Sequence, residues 1–385
     1  IKSVAVGGVG AASFALGGGV ATNEIQNDMD ANITGSTIDT ARHVEVSAEN
    51  TSEIHTLSGG VAISAGNAVG AGVSLNEIES NMRACVSDSQ VTSGGDVSVS
   101  TSNVSIIEAL AIGGAGAGTF ALGASVSVNR IGGMICSCIM DDSDVIAAGS
   151  ISVTTFDASQ IHALAPGFAG AGAVAVGISV VDNDTNRTLK AVIADSNVNA
   201  GDDVIVDVTS RSGHRAIAVG GAISGDVAVA GSSSSNRITQ ETDAAVDGES
   251  SVVAGSDVVI RSNVSENIET DVVQAAGSLG FSVAGAIASN HVDTVTTARV
   301  GQGVSVASQG NISIESVDDT VVNSTAGEVA VGVYVAGAGA SISTVQVHKD
   351  VQAYIDQQAN VYAAAAHLGS IHAYSGEHDA NGNFL

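Results

Sequence analysis

The chain has 385 residues, 12 Lys+Arg against 40 Asp+Glu (formal charge −28), 47 Gly, one proline (Pro166), no Trp and 3% aromatics. Hydrophobic content of 44% excludes simple disorder, and the shortage of bulky residues argues against a conventional enzyme core. So acidic a surface repels phosphate backbones and anionic lipid, so no nucleic-acid partner is expected.

The chain opens on Ile1-Lys2-Ser3 with no visible signal peptide and runs at once into a repeat. We therefore expect a mature or excised piece of a longer polypeptide. Asn23 begins the clearest column. It returns as Asn76, Asn129, Asn183, Asn236 and Asn290, with Thr344 at the seventh place, at spacings of 53, 53, 54, 53, 54 and 54. An apolar column runs Ile38, Val91, Val145, Val198, Val252, Val306 and Val361. Another runs from Val44 through Val97, Ile151, Val204, Val258 and Ile312 to Ile371, and a column of small residues holds Ala31, Ala84, Cys138, Ala191, Ala244, Ala298 and Ala353. Columns in register at one period are the mark of a repeat architecture.

Each repeat has a Gly/Ala-rich half, such as 4–22 or 110–128, and a half reading Ala-x-Val-x-x-Ser-x-Val, turn, Val-x-Val. The alternation in Val97-x-Val99 and Val204-x-Val206 predicts strands with one buried face. Ser-Gly-Gly-Asp at 93–96, Ala-Gly-Asp-Asp at 200–203 and Ala-Gly-Ser-Asp at 254–257 predict turns. The Gly/Ala halves are long enough to suggest membrane helices, but Gly17-Gly18-Gly19 and the alternation in 331–335 argue against helix. Ten aromatics cannot build the girdles of a membrane barrel. No membrane span is expected. Small residues in stacked strands imply close approach of sheets or backbones.

The predicted fold is all-β: a parallel β-helix of about seven 53–54-residue repeats over 1–362, with an insertion and C-terminal extension over 363–385 that could start another coil. The half-and-half composition favours two coils per repeat and a rod of roughly 65 Å.

The pattern Ala-x-Ile/Val-x-x-Ser-x-Val-x-Ala-Gly-x-x-Val-x-Val, with its Gly/Ala strands, resembles the repeats of large bacterial surface proteins: filamentous-haemagglutinin-like and autotransporter-like adhesins, and leukotoxin-like repeat proteins. The likeness covers residues 4–361. It implies a right-handed β-helix, export to the cell surface, and adhesive or filament-forming work. No secretion domain stands at either end of the sequence, which leaves the export route open.

Candidate sites are mostly structural. The Asn column is expected at strand ends, its amides laddering from coil to coil; cation coordination is the alternative, but no acidic partner recurs beside it. Phe14, Phe120 and Phe281, aligned with Asn67, Val174, Val227 and Val335, are expected to stack inside the coil. His55 and His162 share a column with Glu108, and His367, His372 and His378 form a loose terminal group with weak promise for zinc. With two coils per repeat, Cys85 and Cys138 would lie too far apart for a disulfide, so all three cysteines, Cys136 included, are expected as free thiols packed in the core. Turn acids such as Asp141-Asp142 and Asp202-Asp203 leave calcium as the one open cofactor, although the Gly-Gly-x-Gly-x-Asp signature is missing.

Arg211 and Arg215, flanking His214, form a close pair of cations, too little for a lyase groove on acidic sugars. No catalytic residue is assigned. The expected role is an extracellular structural or adhesive repeat that self-associates end to end or continues into further repeats, against a host or neighbouring-cell surface. A carbohydrate-active β-helix enzyme and a leukotoxin-like secreted effector are the alternatives.

Overall fold

The computed structural model describes residues 1–365 and 370–374. The chain winds as a parallel β-solenoid with three sheets. A front sheet of eight strands includes Lys2–Ala11, Val44–Ser64, Val97–Ala117, Ile151–Ala171 and Val204–Ser224, and ends with Ser370–Tyr374. A back sheet of seven includes Phe14–Thr34, Asn67–Ser87, Phe120–Met140 and Val174–Ala194. A short sheet of seven four-residue strands, among them Thr37–Thr40, Gln90–Ser93 and Asp144–Ala147, closes one end of the cross-section. Every strand pairs with the equivalent strand one coil away. Parallel crossovers of this kind wind right-handed.

One repeat is one coil. Val44 lies beside Val97, and Asn23 beside Asn76, each 53 residues on. The expectation of two coils per repeat is therefore corrected. The composition halves are not successive coils but opposite ends of one flattened coil. Strands of 21 residues run about 70 Å, and seven coils stack to roughly 34 Å, half the expected height.

The small residues explain the flattening. At one end the short sheet props the long sheets apart, and Val, Ile, Met and Leu fill the gap, including Val91, Val145, Val198, Val252 and Val306. Ile38 and Val361, on the outer coils, are partly buried against the same cluster. At the other end Ala121, Ala169, Ala175 and Ala222 form a thin core. There the front-sheet column Gly60, Gly113, Gly167, Gly220 faces the back-sheet column Gly17, Gly70, Gly123, Gly177. A Cβ on Gly113 would overlap the Ala124 carbonyl oxygen, and one on Gly167 that of Ile178. The backbones meet where the side chains vanish. The coil is a wedge, thick at the short sheet and thin at the Gly/Ala edge.

The corners are held by side chains that bond the next coil. Serines step upward: the Ser36 N–H donates to Ser89 Oγ at 3.1 Å, and the Ser143 N–H to Ser196 Oγ at 3.3 Å. At the third corner Asp96, Asp203 and Asp257 each accept the N–H of the residue one coil on, Ser150, Asp257 and Asn311, at 2.9, 2.9 and 2.6 Å. Asp88, Asp141, Asp142 and Asp195 turn the serine corner at φ of 47 to 57°, a left-handed conformation that Asp tolerates.

Three register details differ from the sequence alignment. Repeat three carries its extra residue in the corner after Met140, since Cys85 pairs with Cys138 but Gln90 with Asp144. The small-residue column therefore passes through Ser137, with Cys138 one place on. In the seventh coil Val345, not Thr344, lies beside Asn290, and Ile371 pairs with Ile314 rather than continuing the Ile312 column.

Candidate functional site

The polar residues converge on the middle of the wedge, between the aliphatic and alanine cores. Here the six asparagines form an unbroken amide ladder. Asn23 Nδ2 donates to Asn76 Oδ1 at 2.9 Å, Asn76 to Asn129 at 2.8 Å, Asn129 to Asn183 at 2.9 Å, Asn183 to Asn236 at 2.8 Å and Asn236 to Asn290 at 2.9 Å. They stand in mid-strand, not at strand ends, because the back strand continues past each of them. Thr56 and Thr270 reach across from the front sheet and donate to Asn76 and Asn290 at 2.6 and 2.7 Å. Every amide lies in protein with its hydrogen bonds aligned along the stack, an arrangement each coil reinforces in the next.

Asn129→Leu strips a partner from both Asn76 and Asn183. The expected loss is about 1–3 kcal/mol for each orphaned group. Asn129→Asp is expected to be worse, since a buried carboxylate cannot donate to Asn183. Thermal unfolding with calcium and with a chelator checks both; calcium-dependent stabilisation of the Asp variant would contradict an amide-only ladder.

Beside the ladder runs a second interior column that carries charge. Arg187 is 1% exposed. Its guanidinium reaches down the stack past Gly133, donating to the Gly132 and Ser80 carbonyl oxygens and, at 3.1 Å, to Ser105 Oγ. Gly133 has φ of 119°, and a Cβ there would overlap the Ser80 carbonyl that Arg187 uses. Its counter-charge is Asp157, 3.8 Å from Nε and fully buried. Asp157 also accepts from Asn103 Nδ2 at 2.6 Å and Ser159 Oγ at 2.8 Å. Burial pulls the Arg187 pKa down, opposed by the charges of Asp157 and Glu79. Further along, Asp318 pairs with Lys349 at 3.1 Å and accepts from Thr320 at 2.8 Å.

Glu266 lies between these pairs, 1% exposed, with neither carboxylate oxygen hydrogen-bonded. Burial, then the charges of Asp318 and Asp157, push its pKa well up, with Lys349 opposing. With Glu266 neutral, Arg187 and Lys349 balance Asp157 and Asp318. His214 replaces an isoleucine in the column Ile54, Ile107, Ile161, Ile268 and meets Thr185 Oγ1 at 2.7 Å. Burial lowers its pKa to about 3.

These two groups set opposite pH dependences. Glu266 has a raised folded pKa, so its contribution is complete below about pH 4.5 and is lost as pH rises through the folded value. His214 has a depressed one, so its contribution is complete above about pH 6.5 and is lost as pH falls toward 3. Glu266→Gln is expected to flatten the alkaline limb of a stability–pH curve. The pair His214→Ile with Thr185→Ile, which continues the flanking isoleucine columns, is expected to flatten the acid limb. Denaturation midpoints from pH 3 to 9 check both.

The remaining residues singled out from sequence fall elsewhere. The Phe column faces outward: Phe14 is 55% and Phe281 39% exposed, and Phe281 pairs with Ala336, not Val335. It lies nine residues before the Asn column, and an odd separation on a strand reverses the face. His55, Glu108 and His162 are adjacent on the outer front face, with His55 Nδ1 2.8 Å from Glu108. Arg215 stands next in that column and pairs with Glu269 at 3.3 Å, while Arg211 lies 6.0 Å from the Phe156 ring centre. His367 and His378 lie outside the described residues.

The cysteines correct the free-thiol expectation. Cys85 and Cys138 form a disulfide between adjacent coils, with Cα atoms 4.6 Å apart. The single-coil repeat brings them together. Cys136 is free, its pKa raised by burial against the charges of Arg83 and Lys190.

Among the described residues no group of three or more His, Cys, Asp or Glu is arranged to hold a metal ion, and no helix is long and apolar enough to cross a membrane. No family model, curated protein or solved structure matches the chain. The fold defines the class: a β-solenoid scaffold with a hydrogen-bonded polar interior.

Proposed function

We propose that this chain is a building segment of an extracellular bacterial surface filament or rod, where it spaces and presents adhesive surface. The observation that carries the reading is the extensible stack. Each inner coil bonds its neighbours through all three sheets in continuous register, and the outer coils leave Met29, Ile33 and Ile38 at one end and Ala359 and Val361 at the other only partly covered. A further coil, from the same polypeptide or a second copy, would bury them and pair the open strand edges. The inter-coil disulfide supports an oxidising, exported setting, and the charge of −28 a well-solvated exterior. The likeness to adhesin repeats supports a host or neighbouring-cell surface as the partner.

Negative-stain microscopy of the purified chain at rising concentration is expected to show rods lengthening along the stacking axis. Antibody labelling of intact source cells is expected to decorate their surface. Single particles that never lengthen would overturn end-to-end assembly of separate copies, and labelling only after lysis would overturn the surface reading.

A further inference from the structure

The thin end of the wedge is apolar outside as well as inside. On the outer back face four columns begin at Phe14, Leu16, Gly18 and Val20 and run through all seven coils. None of their positions is charged, and Asn67 and Ser233 are the only polar side chains among them. Leu16 is 61% and Val20 66% exposed on the first coil, Ile287 48% on the sixth and Ile342 56% on the seventh. Acids begin beyond this patch, at Asp182 and in the column that starts with Glu24.

Seven residues along the strand by seven coils cover about 780 Å². The largest apolar patch on a typical monomer is about 300–600 Å², and a stable interface buries about 800 Å² on each partner. We propose that this outer back face is an interface with a second copy of the chain, the two back sheets packing face to face.

Three observations select a second copy as the occupant. Two bodies of charge −28 repel wherever their acidic surfaces meet. Approach through the four columns keeps charged side chains out of the contact. The surface is also a comb, with teeth about 4.8 Å apart along the stack and about 6.6 Å along the strand. Another copy presents the same comb, and flat sheets of one spacing pack at about 10 Å. Finally, the third column is a groove of Gly and Ala on either side of Ile178, which fills it on the central coil. No atom lies within 4 Å of where a Cβ would stand on Gly231, and Gly18 and Gly285 meet only a carbonyl oxygen at 3.8 Å. Its flanking columns, rich in Leu, Val and Ile, are ridges of the size such a groove receives. The outer front face suits this less well, since Asp271 sits in its apolar field.

The surface is distinct from the stacking ends, so the two associations separate by experiment. Sedimentation equilibrium of the intact chain is expected to show a dimer at micromolar concentration. Leu122→Glu with Val176→Glu, both outward-facing, is expected to weaken it at least tenfold while circular dichroism and thermal midpoint stay near wild type. In a Cys136→Ser background, Val180→Cys on the central coil is expected to crosslink copies on oxidation. A wild-type monomer at tens of micromolar would overturn the proposal. So would a lateral, face-to-face dimer that survives the Glu pair; end-to-end lengthening along the stack is expected to persist in it. Binding of monomeric protein to neutral phosphatidylcholine vesicles, lost in the Glu pair, would overturn it in favour of a lipid-facing surface.

Discussion

Arg187→Met is expected to lower stability by about 3–5 kcal/mol, because it leaves Asp157 as an unpaired charge in a closed interior. Two effects add. The carboxylate keeps its hydrogen bonds from Asn103 and Ser159 but loses its counter-ion. The space beside Gly133, which the guanidinium fills, loses its polar contents, and the Gly132 carbonyl loses a donor. Adding Asp157→Asn, which continues the column from Asn103, is expected to recover part of the loss, since the charge is then gone from both sides. Asp157→Asn alone is expected to destabilise, leaving Arg187 unmatched. Denaturant midpoints for the two single variants and the double give the coupling directly. Independent, additive losses would contradict a paired role.

Loss of the Cys85–Cys138 bond is the second large effect. The bond closes a loop of 53 residues, for which the chain-entropy estimate is about 4 kcal/mol. Reduction, or Cys85→Ala with Cys138→Ala, is expected to lower the unfolding midpoint to the same value. The double variant is expected to be insensitive to reductant, and Cys136→Ser to behave as wild type. A wild-type midpoint indifferent to reductant would refute the contribution. Because a solenoid repeat contacts mainly its neighbours, hydrogen exchange is expected to rise most in the second and third coils.

Much of this architecture was legible in the residues. The asparagine and valine columns reveal the period, since stacking places like on like, and the turn motifs mark one corner of the coil. The Gly/Ala halves announce the closely approaching backbones. The number of coils was not legible from composition, because a flattened coil with a thick and a thin end has the same two-part signature as two coils of different composition. The disulfide was missed as a consequence. Parity would have gone further. Counting in twos from Asn183 along one strand reaches Thr185, Arg187 and Leu189, all on the interior face. Counting from Val258 reaches Glu266 in the same way. The same count turns Phe14 outward. What parity cannot supply is how far an interior side chain reaches along the stack, and so which groups it meets coils away. Arg187 reaches Ser80, 107 residues away, only because Gly133 leaves the path open.

The central claim is that one repeat makes one coil. Mass-spectrometric mapping of the native disulfide under non-reducing conditions tests it most directly. Trypsin separates Cys85 from Cys136 and Cys138 by cutting after Arg130, and fragmentation of the linked peptide tells the last two apart. The single-coil fold predicts a Cys85–Cys138 link, with Cα atoms 4.6 Å apart, and a free Cys136. Two coils per repeat would hold those residues about 9–10 Å apart, beyond the ~7 Å reach of a disulfide. Three free thiols after folding under oxidising conditions, or a link between Cys136 and Cys138, would contradict it.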